Sequence, residues 1–432
     1  MINWFDKSKC LKECNFKTNK KFELIEDLSI LPSNNLIIEG DNIDGLKLLL
    51  KEYSNKIRFI YIDPPYNTLK ERIYNDSFVD GYHEFRNKFK EKYNRYPDKN
   101  EVNQRKHYKY LSFIYPRLFV SRELLSDNGI IFISINENEL FNLKLLCDEI
   151  FNENNFIGLF SWRCSTGGIP PKFIQKNYEY VLCYAKNINK SEHFRDYVRQ
   201  TALKEYNKKD DVDIYKLKRL AFRTNKIRKN AQFPIKCPDG EIVIPPEDYI
   251  YRCIEPTFLK WLEEDKIVFK RTNTSPLKTI DGKQAKWNIY AKIRLTEAIL
   301  KPINVIPEEF VNTYFTSYTE NTKIYGDKII FFRTKPTSLM KYLMYISNVK
   351  ENDIILDYFA GSLSTVQAVV EYSLDTDINL NFIMIQSNEK LDSNSFSYKK
   401  GYRCMMEIAL RRLHYIKENI YPELNYKYYK IM

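Results

Sequence analysis

Short, largely apolar runs alternate along this chain with longer stretches in which apolar positions recur at helical spacing. Leu36-Ile37-Ile38, Ile57-Arg58-Phe59-Ile60-Tyr61-Ile62 and Ile130-Ile131-Phe132-Ile133-Ser134-Ile135 read as buried strands, as do Asp353–Asp357 and Asn381–Ile385. Between them, Leu46, Leu48, Leu49 and Leu50 give one helix a broad apolar face. Further helices are predicted over 111–125, about 138–150, 364–373 and 402–417. The second strand must stop at Asp63-Pro64-Pro65, because prolines cannot continue a ladder, and Asp127-Asn128-Gly129 reads as a turn ahead of the third. Strands buried on both faces and alternating with amphipathic helices predict an α/β fold with a parallel sheet covered on both sides.

The alternation breaks near residue 186 and resumes at 324–330. The expectation is therefore one sheet in two pieces, 1–185 and 325–432, split by an inserted segment at 186–324. Between Arg199 and Lys229 the insert carries Lys204, Lys208, Lys209, Lys216, Lys218, Arg219, Arg223, Lys226 and Arg228. Residues 80–108 form a second polar stretch with Phe85, Phe89, Tyr93 and Tyr96, read as a loop that closes over a nucleic acid or as an insertion packed on the sheet.

Composition narrows the class. Hydrophobic residues make up 44% and aromatics 15%, enough to bury a sizeable core and to exclude a disordered chain. Lys and Arg total 68 against 56 Asp and Glu, a net +12 that fits a polyanionic partner or a generally basic surface. Of the eight cysteines only Cys10 and Cys14 are close, and the four histidines do not cluster, so no metal site is expected. Reduced thiols, no apolar signal core in the first residues and no apolar run of ~20 residues point to the cytoplasm and away from a membrane.

The candidate chemistry begins with Asp63-Pro64-Pro65-Tyr66-Asn67-Thr68 at the end of a buried strand. An exocyclic amine on a base is a poor nucleophile because its lone pair is delocalised into the ring. A carboxylate and a peptide carbonyl that both accept its N–H bonds favour a pyramidal nitrogen and offset the charge that develops. Asp63 supplies the first acceptor and the Pro64 carbonyl the second, while Tyr66 can stack on an extruded base. A second strand end, Leu356-Asp357-Tyr358-Phe359-Ala360-Gly361-Ser362, enters a small-residue turn before a helix, which lets backbone approach a ligand. A third, Glu39-Gly40-Asp41-Asn42, again sets an acid at a strand end.

Together these stretches resemble the β-group amino-methyltransferases of DNA, and most closely the Mod subunits of type III restriction-modification systems. The likeness covers about 34–185 and 325–415 and includes Tyr61–Thr68, Leu111–Leu118, Asn128–Ile135, Lys144–Phe151, Tyr178–Lys186 and Thr334-Lys335-Pro336. It implies a circularly permuted, Rossmann-like S-adenosylmethionine-dependent methyltransferase sheet with an inserted target-recognition domain. Asp63, Pro64, Pro65 and Tyr66 would hold and activate a flipped adenine. Asp357, Phe359, Ala360, Gly361 and Ser362 would cradle the cofactor's methionine part, Lys335 would lie near its carboxylate, and Asp41 and Asn42 would meet its adenine. The implied activity is site-specific N6-adenine methylation of double-stranded DNA, and the implied partners are a second copy and a restriction endonuclease subunit. The rival readings are a cytosine-N4 methyltransferase and an inactive DNA-binding specificity subunit. The chain departs from the family at Leu363, where a small residue is usual and a leucine is expected to crowd the cofactor or displace the loop. It departs also at Gln386, in place of a ribose-binding acid with Glu389 nearby, and at Tyr178, in place of a histidine.

Overall fold

The computed structural model describes residues 2–4, 7–68, 82–167, 171–197, 203–297, 300–328, 330–331 and 333–432. The chain divides into two compact units, one of residues 1–195 with 302–432 and the other Asp196–Lys301. The inserted unit is thus narrower at both ends than the 186–324 read from polarity. The helix Tyr314–Tyr325, capped by the Thr313 side chain, already belongs to the first unit.

The first unit is built on a nine-stranded sheet. Its strands in chain order are β1 (Phe22–Leu24), β2 (Leu36–Glu39), β3 (Ile57–Ile62), β4 (Leu125–Ile135), β5 (Phe156–Arg163), β6 (Tyr178–Ala185), β7 (Ile354–Asp357), β8 (Asn381–Gln386) and β9 (Lys427–Ile431). They lie in the spatial order β1-β9-β2-β8-β7-β3-β4-β6-β5. Pairing is parallel from β9 through β4 and antiparallel at both edges, where β1 joins β9 and the β6–β5 pair joins β4. The sheet is therefore mixed rather than wholly parallel. Antiparallel edge strands need no helical crossover, so their approach leaves no βα alternation to read.

All six residues of β3 are buried. Side chains alternate across a strand, so Ile60 and Ile62 face one side with Ile131, Ile133, Ile383 and Ile385, and Phe59 and Tyr61 face the other, all fully or nearly fully buried. Helices α1 (Asn42–Tyr53), α2 (Lys99–Leu124) and α3 (Leu140–Phe151) pack together on the first face, α2 in the centre. The later helices are α4 (Tyr314–Tyr325), α5 (Thr337–Ile346), α6 (Ser364–Thr376) and α7 (Met405–Asn419), with α6 in contact with both α5 and α7.

Helix α2 begins twelve residues before the 111 expected from its apolar face. A reciprocal cap between Asp98 and Glu101 starts it, and its first turns are polar. The 80–108 stretch is helical, Tyr82–Tyr93 and then the start of α2, rather than a loop; residues 80 and 81 lie outside the described residues. The expected turn at 127–129 lies inside β4, where the register against β3 shifts between Ile57 and Phe59. A Cβ on Gly129 would sit 2.8 Å from both the Ile57 and Ser126 carbonyl oxygens. Neither backbone atom can yield, so Gly129→Ala is expected to destabilise the first unit by about 1–3 kcal/mol, read as a lower urea midpoint.

The second unit is mostly antiparallel β. Its largest sheet pairs Ile267–Arg271, Trp287–Arg294, Ile214–Arg219 and Lys208–Lys209 around a core that includes Tyr251, Phe258, Trp287 and Ile289. The basic run falls on strands and loops, not a helix face. Lys204, Lys208, Lys209, Lys218, Arg219, Arg223, Lys226 and Arg228 are exposed, while Arg199 lies outside the described residues.

Candidate active site

Because β2, β8, β7, β3 and β4 run the same way, their carboxyl ends share one edge of the sheet. Asp41 follows β2, Asp63 follows β3, Asp357 ends β7 and Gln386 ends β8. A single cavity at that edge is lined by Asp41, Asn42, Asp63 and Pro65 together with the run Asp357–Ser362. The three candidate stretches, separated by up to about 300 residues, therefore meet. This is where an open α/β sheet binds its ligands.

Asp63 is held by a buried network. Lys335 Nζ lies 2.9 Å from both Asp63 carboxylate oxygens, 3.2 Å from Glu179 and 2.7 Å from the Tyr66 hydroxyl. The Tyr66 hydroxyl donates to Asp63 Oδ1 at 2.6 Å, and the Tyr314 hydroxyl donates to Glu179 at 2.8 Å. Burial alone would lower the Lys335 pKa, yet Asp63 and Glu179 raise it above its ordinary value, so the ammonium stays charged. Lys335 is thus neither an exposed loop lysine nor turned wholly toward a ligand, since two carboxylates share it. The Asp63 side chain remains 27% exposed, and a carboxylate offers about four acceptor positions, so it can still accept an amine.

Tyr66 is 2% exposed, its ring packed in the core and its hydroxyl turned to the carboxylates. That orientation differs from the stacking platform read from the motif. Pro64 is buried, and Pro65 lines the cavity. Asn67, with φ of 55°, donates at 2.5 Å to Glu139, a fully buried carboxylate that also bonds His107 and Asn142. That link fixes the far end of the loop.

In the second loop, Asp357 accepts from the Phe359 N–H at 2.9 Å and the Thr365 hydroxyl at 2.6 Å. Gly361 donates its N–H to Gln386 Oε1 at 2.7 Å, so the glutamine supports this turn, and Glu389 lines the same cavity. Leu363 adopts a left-handed conformation, φ 60° and ψ 32°, at the start of α6. It is fully buried, and its neighbours Ser362 and Ser364 line the cavity, so the leucine does not crowd it. A non-glycine residue held there costs about 1 kcal/mol, offset by the burial of its side chain. Arg412 of α7, fully buried, bonds Gln367 and Asn321 and reaches Ser362 Oγ at 3.5 Å.

In the third loop, Asp41 caps α1 through the Ile43 N–H, and Asn42 bonds the Tyr358 carbonyl at 2.9 Å. Arg117 holds both residues, donating to Asn42 Oδ1 at 2.5 Å and to Asp41 at 3.4 Å, with its guanidinium over the Phe113 ring. Tyr178 begins β6 and is 42% exposed.

Burial raises the Asp357 carboxyl to about 7. An acid whose folded value is raised stabilises the fold most below the ordinary carboxylate value near 3.8, and that contribution is lost as pH climbs toward 7. Asp357→Asn keeps an acceptor for the Phe359 N–H and removes the ionisation. It is expected to raise the denaturation midpoint above pH 7, by an energy on the order of a few kcal/mol, with the gain shrinking below pH ~4. Paired melts at pH 8 and pH 4 check the sign.

Tyr314 and Glu139 join the site from outside the stretches singled out in the sequence, and Arg117 and Glu179, which lie inside Leu111–Leu118 and Tyr178–Lys186, join it without a role read for them. Glu179 opens the antiparallel strand β6, whose amino end meets the carboxyl end of β4. An acid at the head of an apolar run, within the stretch Tyr178–Lys186, is the signal that the sequence offers for it.

Fold and site together define an α/β protein with a partly exposed carboxylate, Asp63, beside a small-residue loop at the next strand end. A family model described as DNA methylase matches residues 57–393, and the chain belongs to that family. It is 32% identical over 405 residues to the type III restriction-modification enzyme EcoPI Mod subunit of Escherichia phage P1, covering 88% of this chain and 62% of the relative. It is 30% identical to the type II methyltransferase M.KpnI of Klebsiella pneumoniae, covering 98% of each. The EcoP15I Mod subunit of Escherichia coli is 27% identical over 88% of this chain and 63% of the relative. The chain thus spans about three fifths of the Mod subunits it matches. Among the described residues no helix is long and apolar enough to cross a membrane, and no group of three or more His, Cys, Asp or Glu is arranged to hold a metal ion.

Proposed function

We propose that this chain methylates N6 of adenine in duplex DNA, with S-adenosylmethionine as methyl donor, within a restriction-modification system. The observation that carries the reading is that Asp63 and the Asp357–Ser362 loop line one cavity at adjacent strand ends. The residues present fit the cofactor. Asp63 and Asp357 bring carboxylates toward a sulfonium, Phe113, Phe331 and Phe359 supply apolar walls, and Arg333 adds a cation for the carboxylate. Asp41 and Asn42 would meet its adenine, Phe359 to Ser362 its methionine part, and Gln386 with Glu389 its ribose.

When bound, the cofactor supplies an electrophilic methyl on sulfur. Asp63 accepts an N–H of the target amine and the Pro64 carbonyl accepts the other, which turns the nitrogen lone pair toward the donor. Lys335 keeps Asp63 oriented through both carboxylate oxygens. An aspartate at position 63 favours adenine over cytosine as the target, and the engaged, cavity-lining Asp63 supports catalysis over a binding-only subunit. The exposed basic residues from Lys204 to Arg228 suit phosphate contacts and make the 196–301 unit the candidate target reader. The relatives named as Mod subunits of restriction-modification enzymes support a restriction subunit as a partner, with a second copy kept as a proposed partner.

Sequencing DNA from an expressing host with detection of modified bases tests the reading. N6-methyladenine at one repeated sequence context is expected. N4-methylcytosine, or no modified base with cofactor bound, would overturn it.

A further inference from the structure

Methylation of an amine leaves one proton to be removed, and the structure holds a second carboxylate where that proton can go. Glu179 is 7% exposed and lies behind Asp63. The Tyr66 hydroxyl lies between the two acids, 2.6 Å from Asp63 Oδ1 and 3.3 Å from Glu179 Oε2. A hydroxyl has one proton to give and two lone pairs. The hydroxyl oxygen takes the Lys335 ammonium at 2.7 Å, and when Asp63 is protonated its 2.6 Å contact with that oxygen can reverse as the phenol proton turns to Glu179.

We propose that the proton released on methyl transfer passes from Asp63 through the Tyr66 hydroxyl to Glu179. This rests on the N6-adenine reading above. The N–C bond forms as the C–S bond breaks with its electron pair on sulfur, and one N–H bond of the amine breaks with its proton taken by Asp63. Asp63 then gives that proton to the phenol oxygen while the phenol proton moves to Glu179. Asp63 returns to a carboxylate, Tyr66 to a neutral phenol, and Glu179 releases its proton to solvent.

The neighbours of Glu179 fit this role. Tyr314 donates to it and Lys335 lies at 3.2 Å. Burial and the two acids hold the Tyr66 and Tyr314 phenols well above their ordinary pKa, so both stay neutral donors. Burial pushes the Cys164 thiol up to about 12, so it adds no competing anion. Lys335, held charged, cannot take the proton. Glu179 is the acceptor that remains in this network, acting through Tyr66.

The test is single-turnover methylation by the full chain, with labelled S-adenosylmethionine and DNA from a host lacking adenine methylation. It compares wild type, Glu179→Gln, Tyr66→Phe and the double variant, each shown folded by its far-ultraviolet spectrum. Both single variants are expected to lose at least tenfold in rate at saturation while cofactor affinity changes less than threefold. The double variant should be no slower than the slower single, because both break one path. Added small buffer bases should restore part of the Glu179→Gln rate. A Glu179→Gln rate equal to wild type, multiplying losses in the double variant, or a loss confined to affinity overturns the relay. Wild type that methylates nothing would instead sink the underlying reading.

Discussion

Asp63→Ala is expected to lower methyl transfer to DNA by at least ~1000-fold while DNA affinity stays within a few-fold of wild type. Removing a preorganised acceptor from the reacting atom typically costs 10²–10³ or about 3–4 kcal/mol. Here the carboxylate is also the first proton acceptor, so the loss adds to that. DNA affinity should survive because phosphate contacts dominate it, and the residues proposed to make them lie far along the chain from this loop. The same change leaves Lys335 with Glu179 as its remaining carboxylate, so the variant's melting profile must be recorded beside its activity. Retained methylation at the wild-type rate would remove Asp63 from the mechanism.

Lys335→Met is expected to be the most destabilising single change in the site, by about 3–5 kcal/mol in chemical denaturation. Its side chain is 4% exposed and its ammonium serves two carboxylates and a phenol. A methionine fills much the same volume, so packing is kept and the loss is electrostatic. Asp63 and the buried Glu179 would then lie close together without the charge between them, and each would lose its cationic partner. Adding Glu179→Gln removes one of the two stranded charges, so the double variant should be more stable than Lys335→Met alone. Equal stability of the two would mean that the network is not coupled through Lys335.

Much of this site is legible in the amino-acid sequence. Asp63-Pro64-Pro65-Tyr66 stands out because prolines after a largely apolar strand force a loop at a strand end. Asp357 to Ser362 stands out because small residues there leave backbone accessible. Both are local signals, set within half a dozen residues. The early start of α2 is hidden because a polar first half carries no apolar periodicity, although Asp98 and Glu101 carry the cap. The bounds of the inserted unit differ from the polar stretch because polarity marks surface, whereas a compact unit is defined by which residues pack together.

Periodicity, backbone restriction and charge act between near neighbours. They are enough to mark the central strands β2, β3, β4, β7 and β8, the apolar faces of α1, α2, α3, α6 and α7, the loops at three strand ends that became candidates for chemistry, and the basic charge of the chain. Other features of the site exist only once the chain has packed. β6 enters the sheet reversed and delivers Glu179 behind Asp63, Lys335 sits between two acids, the Tyr66 hydroxyl joins them, and Leu363 turns into the core. Those depend on strand order and direction, which long-range packing selects and no short window of residues encodes.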